Sequence, residues 1–120
     1  MDTAVFLNVL RDEALRIARA HGFTDASIPE DIALMHSELS EALEDFRSGK
    51  SATEVWYEGG SAVRESSVIA KPCGIPSEMA DIIIRVMHFC GKHGIDIQKA
   101  VAEKMRYNDS RPHKNGGKVI

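Results

Sequence analysis

The sequence predicts an all-α protein, built as one four-helix bundle-like unit. Apolar residues recur at helical spacing in four segments of the chain, and Gly or Pro residues stand near the ends of these segments. The 120 residues, 43% of them hydrophobic, can bury one modest core. We therefore expect a single domain over residues 1–120.

The first two helices are marked by their ends. Helix one is predicted over residues 3–21, where apolar side chains recur every three or four residues before Gly22. Helix two is predicted over residues 29–47, because Pro29 suits a first helical turn and Gly49 follows the last one.

Helix three is predicted to begin after Pro76 and to end near His93. It is apolar almost all round, so it must be buried by its own domain or by a partner chain. One charged seam nevertheless follows the helix, and buried charges need compensation. The seam consists of Glu78, Asp81, Arg85, His88 and Lys92.

The fourth helix is shorter, and it follows Gly94. Asp96 is a suitable N-cap, and the helix is predicted over residues 97–107. The remaining residues, 108–120, are basic and rich in Gly, Asn and Pro, as is typical of a terminal arm.

Residues 48–75 form a connection that is long for a compact domain. The segments EVWYE and SVIA flank Gly59 and Gly60, which predicts a short hairpin. The intervening GSAVRES is equally consistent with a mobile flap.

Composition excludes several functions. The net charge of −3 gives no general electrostatic reason to bind nucleic acid or an anionic membrane. No apolar run approaches the roughly 20 residues that a bilayer requires, and the N-terminal segment is not a basic and then apolar leader. These features are typical of a soluble cytoplasmic protein. The two cysteines follow no metal or redox spacing.

Two acidic pairs are the most informative feature of the sequence. Glu38 and Glu41 lie three residues apart on helix two, and Glu78 and Asp81 lie three apart on helix three. Side chains at this spacing share a helical face. If the two helices pack together, four carboxylates can surround a cation, and such ligands favour Mg²⁺ or Mn²⁺. From spacing alone, a structural ion-pair network with Arg85 and Lys92 is an equal alternative.

The chain resembles the MazG-like, all-α nucleoside triphosphate pyrophosphohydrolases. The resemblance runs from Pro29 to about Lys118, through the segments SELSEALEDFR, KPCGIPSEMADIIIR and KMRYNDSRPHKNGGK. The family signature is EExxE followed by ExxD. Glu38 and Glu41 match the second and third Glu of the first motif, and the later pair matches ExxD.

The resemblance implies that Glu38, Glu41, Glu78 and Asp81 bind Mg²⁺. It also implies that Lys104 and Asn108, on the last helix, face the nucleotide. Ser37 departs from the family pattern, because it stands where the first Glu of EExxE is expected. The identity of the general base is therefore open between Glu38 and Glu41, with Asp45 in reserve.

The implied reaction is hydrolysis of a nucleoside triphosphate, either a standard or a damaged deoxynucleotide, to the monophosphate and pyrophosphate. Basic side chains would stabilise the departing pyrophosphate. The candidates are Lys104, Arg111, Lys71 and Arg85.

Two further expectations remain at this stage. A catalytically inactive helical module that binds a nucleotide or a protein is the alternative function, with Ser37 as the mark of lost activity. A homodimer or homotetramer is also expected, because a small four-helix unit can hardly cover helix three on all sides. In such an assembly, Lys104 or Arg111 could reach the site of a neighbouring chain.

Overall fold

The computed structural model describes residues 3–60 and 69–112, and within these ranges the protein is mostly helical, as predicted. Four helices and one two-stranded sheet follow each other along the chain. The elements are α1 (Thr3–Ala20), α2 (Ile28–Arg47), β1 (Trp56–Glu58), β2 (Lys71–Cys73), α3 (Ile75–Lys92) and α4 (Ile97–Ser110).

Local capping explains where the helices begin. The Ser27 side chain accepts a hydrogen bond from the Glu30 backbone N–H, and the Glu30 side chain accepts one from the Ser27 N–H, so that α2 opens with a capping box. The predicted N-cap of α4 is confirmed, because Asp96 accepts from the Lys99 N–H. The helix itself extends to Ser110, beyond the predicted end. Residues 108–110 are therefore helical, whereas residues 113–120 of the predicted arm lie outside the described ranges.

The predicted hairpin is present in part. Strand β1 lies within the EVWYE segment, and it pairs antiparallel with β2, so that Trp56 faces Cys73 and Glu58 faces Lys71. The second strand begins at Lys71 rather than in SVIA. Residues 61–68 lie outside the described ranges, and they include half of SVIA and most of the predicted flap. A two-stranded ribbon tolerates Pro72, because the missing N–H does not interrupt a central strand.

Gly74 joins the sheet to α3. It occupies the N-cap position of α3 with φ 117°, a conformation that favours glycine. A Cβ atom here would collide with the Glu54 carbonyl oxygen and crowd the Trp56 ring. Close approach at Gly74 thus fixes the start of α3, one turn before Glu78.

Helix α3 is the centre of the fold. Both α1 and α2 pack against it, and α4 packs against α1. The expectation that α3 is buried holds only in part within one chain, because Ile83 and Ile84 are each 50% exposed. Seven of the described apolar residues are buried, and most of them have small side chains: Ala14, Leu15, Ala18, Ala42, Cys73, Met87 and Cys90.

Candidate metal centre between helices α2 and α3

The face of α2 that meets α3 carries acidic residues at a seven-residue interval. Asp31 and Glu38 are only 8% and 7% exposed. Each pairs with a base on α3: Lys92 Nζ lies 2.8 Å from Asp31 Oδ2, and Arg85 Nε lies 2.8 Å from Glu38 Oε1. The bases are also seven residues apart and occur in reverse order, since the two helices run antiparallel. These two ion pairs form a polar seam inside the helix pair.

The next positions at the seven-residue interval are Asp45 on α2 and Glu78 on α3, and both of these residues are acidic. Within the described ranges, neither residue takes part in an ion pair, nor does Glu41. Carboxylate oxygens of Glu38, Glu41 and Glu78 all lie within 4.8 Å of one another. We call these three residues the acidic cluster. The seam therefore changes from paired charges to unpaired like charges at this end.

Three of the buried carboxylate oxygens without a hydrogen-bond partner lie in or next to the acidic cluster. Glu38 Oε2 and Glu78 Oε2 are shielded from solvent, and neither has a hydrogen-bond partner among the described residues. Asp45 Oδ2, one turn beyond Glu41, is in the same condition. Unpartnered buried carboxylate oxygens cost on the order of several kcal/mol, so such a group requires a compensating charge.

The carboxyl groups of the acidic cluster influence one another's pKa values. Burial raises the pKa of Glu78 to about 7, and the nearby carboxyl groups of Glu38 and Glu41 contribute to the rise. Burial also raises the pKa of Glu38, but the hydrogen bond from Arg85 and the proximity of Glu78 and Glu41 outweigh burial and leave that pKa below its usual value. Close carboxyl groups whose pKa values move apart are common at functional sites.

A divalent cation fits this group. The positive end of α3 lies near Glu78, but a helix dipole supplies only about half an elementary charge, too little for three carboxylates. Oxygen donors without Cys or His match Mg²⁺ or Mn²⁺. Glu38, Glu41 and Glu78 are the residues that would hold the ion.

Asp81, the fourth predicted ligand, stands apart from the three. It is exposed, and its carboxylate is not among those that converge. Burial of its carboxyl group and the nearby Glu38 raise its pKa, whereas Arg85 and Lys71 act in the opposite direction. The structure thus brings three of the four predicted ligands together and leaves Asp81 at the rim.

A cleft of about 870 Å³ opens beside the cluster, between α1, α2 and α3. Glu38, Asp81 and Arg85 line one part of it, so the cleft and the acidic cluster are contiguous. Its volume is within the range of about 300–1,000 Å³ for small-molecule sites. The apolar lining includes Leu10, Ala14, Ile17, Phe23, Leu34 and Ile84.

His88 also lines the cleft. Its Nε2 is buried and has no hydrogen-bond partner among the described residues. Burial lowers the pKa of its imidazole, and the nearby Asp31 acts in the opposite direction.

The predicted substrate-binding residues are distributed over two parts of the protein. Lys71, on β2, is close enough to influence Asp81. Lys104 Nζ and Arg111 Cζ lie 5.2 Å and 5.7 Å from the centroid of the Tyr107 ring, which belongs to α4. Among the described residues, no hydrogen bond or ion pair joins Lys104, Asn108 or Arg111 to the acidic cluster. Ser37 is exposed.

The ion-pair network that the sequence offered as an alternative is present in part, because Arg85 pairs with Glu38, one of the four acids, and Lys92 also forms an ion pair. The partner of Lys92, Asp31, was not predicted. A usable signal exists in the sequence: acids occur at 31, 38 and 45, and bases at 85 and 92, so both helices carry charges at a seven-residue interval.

Comparisons with family models, curated proteins and solved structures give no match for the chain. In the described part of the chain, no helix has the length and apolar character needed to cross a membrane.

Proposed function

We propose that the protein is a Mg²⁺-dependent nucleoside triphosphate pyrophosphohydrolase with a MazG-like all-α fold. The observation that carries this proposal is the convergence of Glu38, Glu41 and Glu78 from two helices, with buried oxygens that lack partners. The sequence motifs on which the family resemblance rests include these same residues. The substrate in this proposal is a standard or damaged deoxynucleoside triphosphate.

In this proposal the acidic cluster holds the ion, and Asp81, which lines the neighbouring cleft, supplies a fourth ligand. When bound, Mg²⁺ supplies a compact positive charge that offsets the charge of the phosphate oxygens and makes water more acidic. Mn²⁺ has the same preference for oxygen ligands and is expected to substitute.

Glu41 is the better of the two candidate bases. The Glu38 carboxylate is buried and bound by Arg85, whereas Glu41 is exposed at the edge of the cluster. In the proposed reaction a water oxygen bonds to the α-phosphorus as the bond to the α,β-bridging oxygen breaks. The water proton passes to Glu41, and the products are a nucleoside monophosphate and pyrophosphate.

The cleft beside the cluster suits the nucleoside, because it has an apolar lining and a few polar groups. Lys71 and Arg85 are near enough to oppose the pyrophosphate charge from the same chain. In residues 3–60 and 69–112 no hydrogen bond or ion pair links Lys104, Asn108 or Arg111 to the acidic cluster, so in this proposal they come from a neighbouring copy in a homodimer or homotetramer.

The test is a panel of nucleoside triphosphates incubated with Mg²⁺, with monophosphate and pyrophosphate measured separately. Glu41→Gln and Asp81→Asn should each lower pyrophosphate release by at least about 100-fold, consistent with loss of general-base or metal-linked groups. Glu44→Gln is the matched control, because Glu44 is an exposed acid on the same helix as Glu41, and it pairs with Arg47, at 3.7 Å, rather than with the acidic cluster. Orthophosphate as the first product would contradict the proposal.

Ser37 keeps one other function open, that of an inactive binding module. Such a module would bind a triphosphate in the presence of Mg²⁺ and release no pyrophosphate from any member of the panel. Equilibrium binding measured beside the activity assay separates the two functions.

A further inference from the structure

Among the described residues, Arg85 forms the only ion pair that joins α3 to a buried member of the acidic cluster. Its Nε donates to Glu38 Oε1 at 2.8 Å. The Glu38 side chain is 9% exposed, whereas that of Arg85 is 37% exposed on the cleft side. One guanidinium N–H thus reaches into the helix pair, while the rest of the side chain borders the cleft.

The position of Arg85 on α3 explains this reach. Side chains on a helix lean toward its N-terminus, so a long side chain at 85 extends back over the turn of Asp81, in the direction of Glu78. An interaction with Asp81, one turn earlier, is the local alternative. Arg85 pairs instead with Glu38, which is less exposed, because an unpaired charge costs more free energy when it is buried.

The two oxygens of Glu38 have different surroundings. Oε1 is bound by Arg85, and Oε2 is buried without a partner among the described residues. A carboxylate with one oxygen fixed cannot turn freely, and its other oxygen keeps one direction. Partners of this kind orient metal ligands in many proteins, and their loss typically weakens metal binding about 10–100-fold.

We propose that Arg85 is a positioning residue for the cation site: it binds Oε1 of Glu38 and thereby holds Oε2 ready as a ligand. This inference rests on the cation site of the proposed function. The guanidinium cannot be a ligand, because it has no lone pair to offer. Lys at this position would keep the charge and lose the planar N–H donor that fixes the carboxylate.

The test measures Mn²⁺ binding by the full chain without nucleotide, by electron paramagnetic resonance of free Mn²⁺. Arg85→Lys and Arg85→Met should each weaken Mn²⁺ binding by about 10-fold or more. Arg47→Met is the matched control, because Arg47 forms an exposed pair on α2, and its substitution should leave the affinity unchanged. Circular dichroism checks that each variant retains its helices.

Each other outcome has a definite meaning. Tighter Mn²⁺ binding by Arg85→Met would show that Arg85 opposes the cation and would overturn the inference. Unchanged Mn²⁺ binding by both Arg85 variants would also overturn the inference, whether or not triphosphate binding becomes weaker. Absence of Mn²⁺ binding by the unsubstituted protein would remove the cation site itself, and the proposed function with it.

Discussion

Glu38 and Glu78 are neighbours in the acidic cluster, yet their carboxyl groups shift in opposite directions. Arg85 and the neighbouring carboxyl groups keep the pKa of Glu38 low despite burial. Glu78 has no base beside it among the described residues, and burial raises its pKa to about 7. A proton shared within the cluster therefore neutralises part of its charge near pH 7 when no cation is bound.

Cation binding should displace this proton. Because the pKa of Glu78 is raised to about 7, its carboxyl group is mostly protonated at pH 6 and mostly ionised at pH 8. Mn²⁺ binding should accordingly release about one proton per site at pH 6 and about a tenth of a proton at pH 8. The affinity for Mn²⁺ should rise over this range. Calorimetry in two buffers with different ionisation enthalpies measures the proton release.

Glu78→Gln is the control for this measurement, since the amide has no proton to release. Its residual Mn²⁺ binding should be weak and should lose the dependence on pH between 6 and 8. A proton release that is the same at both pH values in the unsubstituted protein would show that Glu78 is not the group displaced by the ion.

At the scale of the elements, the polar seam between α2 and α3 sets the register of the two helices. Sliding one helix by a turn would separate Asp31 from Lys92 and Glu38 from Arg85 together. A buried ion pair adds little net stability compared with well-packed apolar residues, but breaking one costs about 3–5 kcal/mol. The seam therefore acts against incorrect registers, and the correct one assembles the acidic cluster.

Lys92→Met should strongly destabilise the protein. The substitution leaves Asp31 buried without its partner and removes the hydrogen bond that Lys92 Nζ donates to the Ala26 carbonyl, at 2.7 Å. We expect the free energy of unfolding, measured by urea denaturation, to fall by about 3 kcal/mol. Adding Asp31→Leu to this variant should recover part of the loss, because position 31 then no longer buries an unpaired charge.

The matched control for this prediction is Lys99→Met. Lys99 pairs with Glu103 at 3.9 Å, and both side chains are more than 60% exposed, at 71% and 63%. Such a pair contributes about 0–1 kcal/mol. If the two Met substitutions have equal effects, the pair between Asp31 and Lys92 does not hold the helices in register.

The elements show which features could be predicted from sequence. The start of α4 follows local chemistry, the N-cap at Asp96, and it was predicted correctly, whereas the end of α4 lies three residues beyond the predicted Tyr107. The specific ion pair between Arg85 and Glu38 was not predicted. Arg85 can pair equally well with Asp81 on its own helix or with Glu38 on α2 until the register of the helices is known. The second strand depends in the same way on contacts distant in sequence, including the approach of Glu54 to Gly74.

For the acidic cluster itself, sequence supplied the residues and the structure supplied their grouping. The spacing of Glu38 and Glu41 predicted a shared face, and that prediction needed only one helix. Which member of the second pair points between the helices depends on the rotation of α3. The structure turns Glu78 inward and leaves Asp81 at the cleft.

At the scale of the whole molecule, one chain leaves much apolar surface uncovered. Apolar residues at helical spacing form exposed stripes on the outer faces of α2 and α3, and large exposed stripes of this kind mark interaction surfaces. The stripes consist of Leu39, Leu43 and Phe46 on α2, and Met79 and Ile83 on α3, with exposures of 40–67%.

We expect these stripes to be covered by a second copy. Light scattering should give a mass of at least two chains, and Leu43→Glu combined with Ile83→Glu should reduce it toward one, because charges would be buried in the interface. Ile69→Glu is the control, since Ile69 is 83% exposed and lies outside the helices. A mass of one chain for the unsubstituted protein would contradict the prediction.

The same double variant separates the contributions of one chain from those of its neighbour. Glu38, Glu41 and Glu78 converge within a single chain, so the dissociated variant should still bind Mn²⁺. Pyrophosphate release should nevertheless fall at least about 10-fold if Lys104 and Arg111 reach the site from the other copy, because transition-state charge then loses its basic partners. Full activity in a monomer would place both residues outside the reaction.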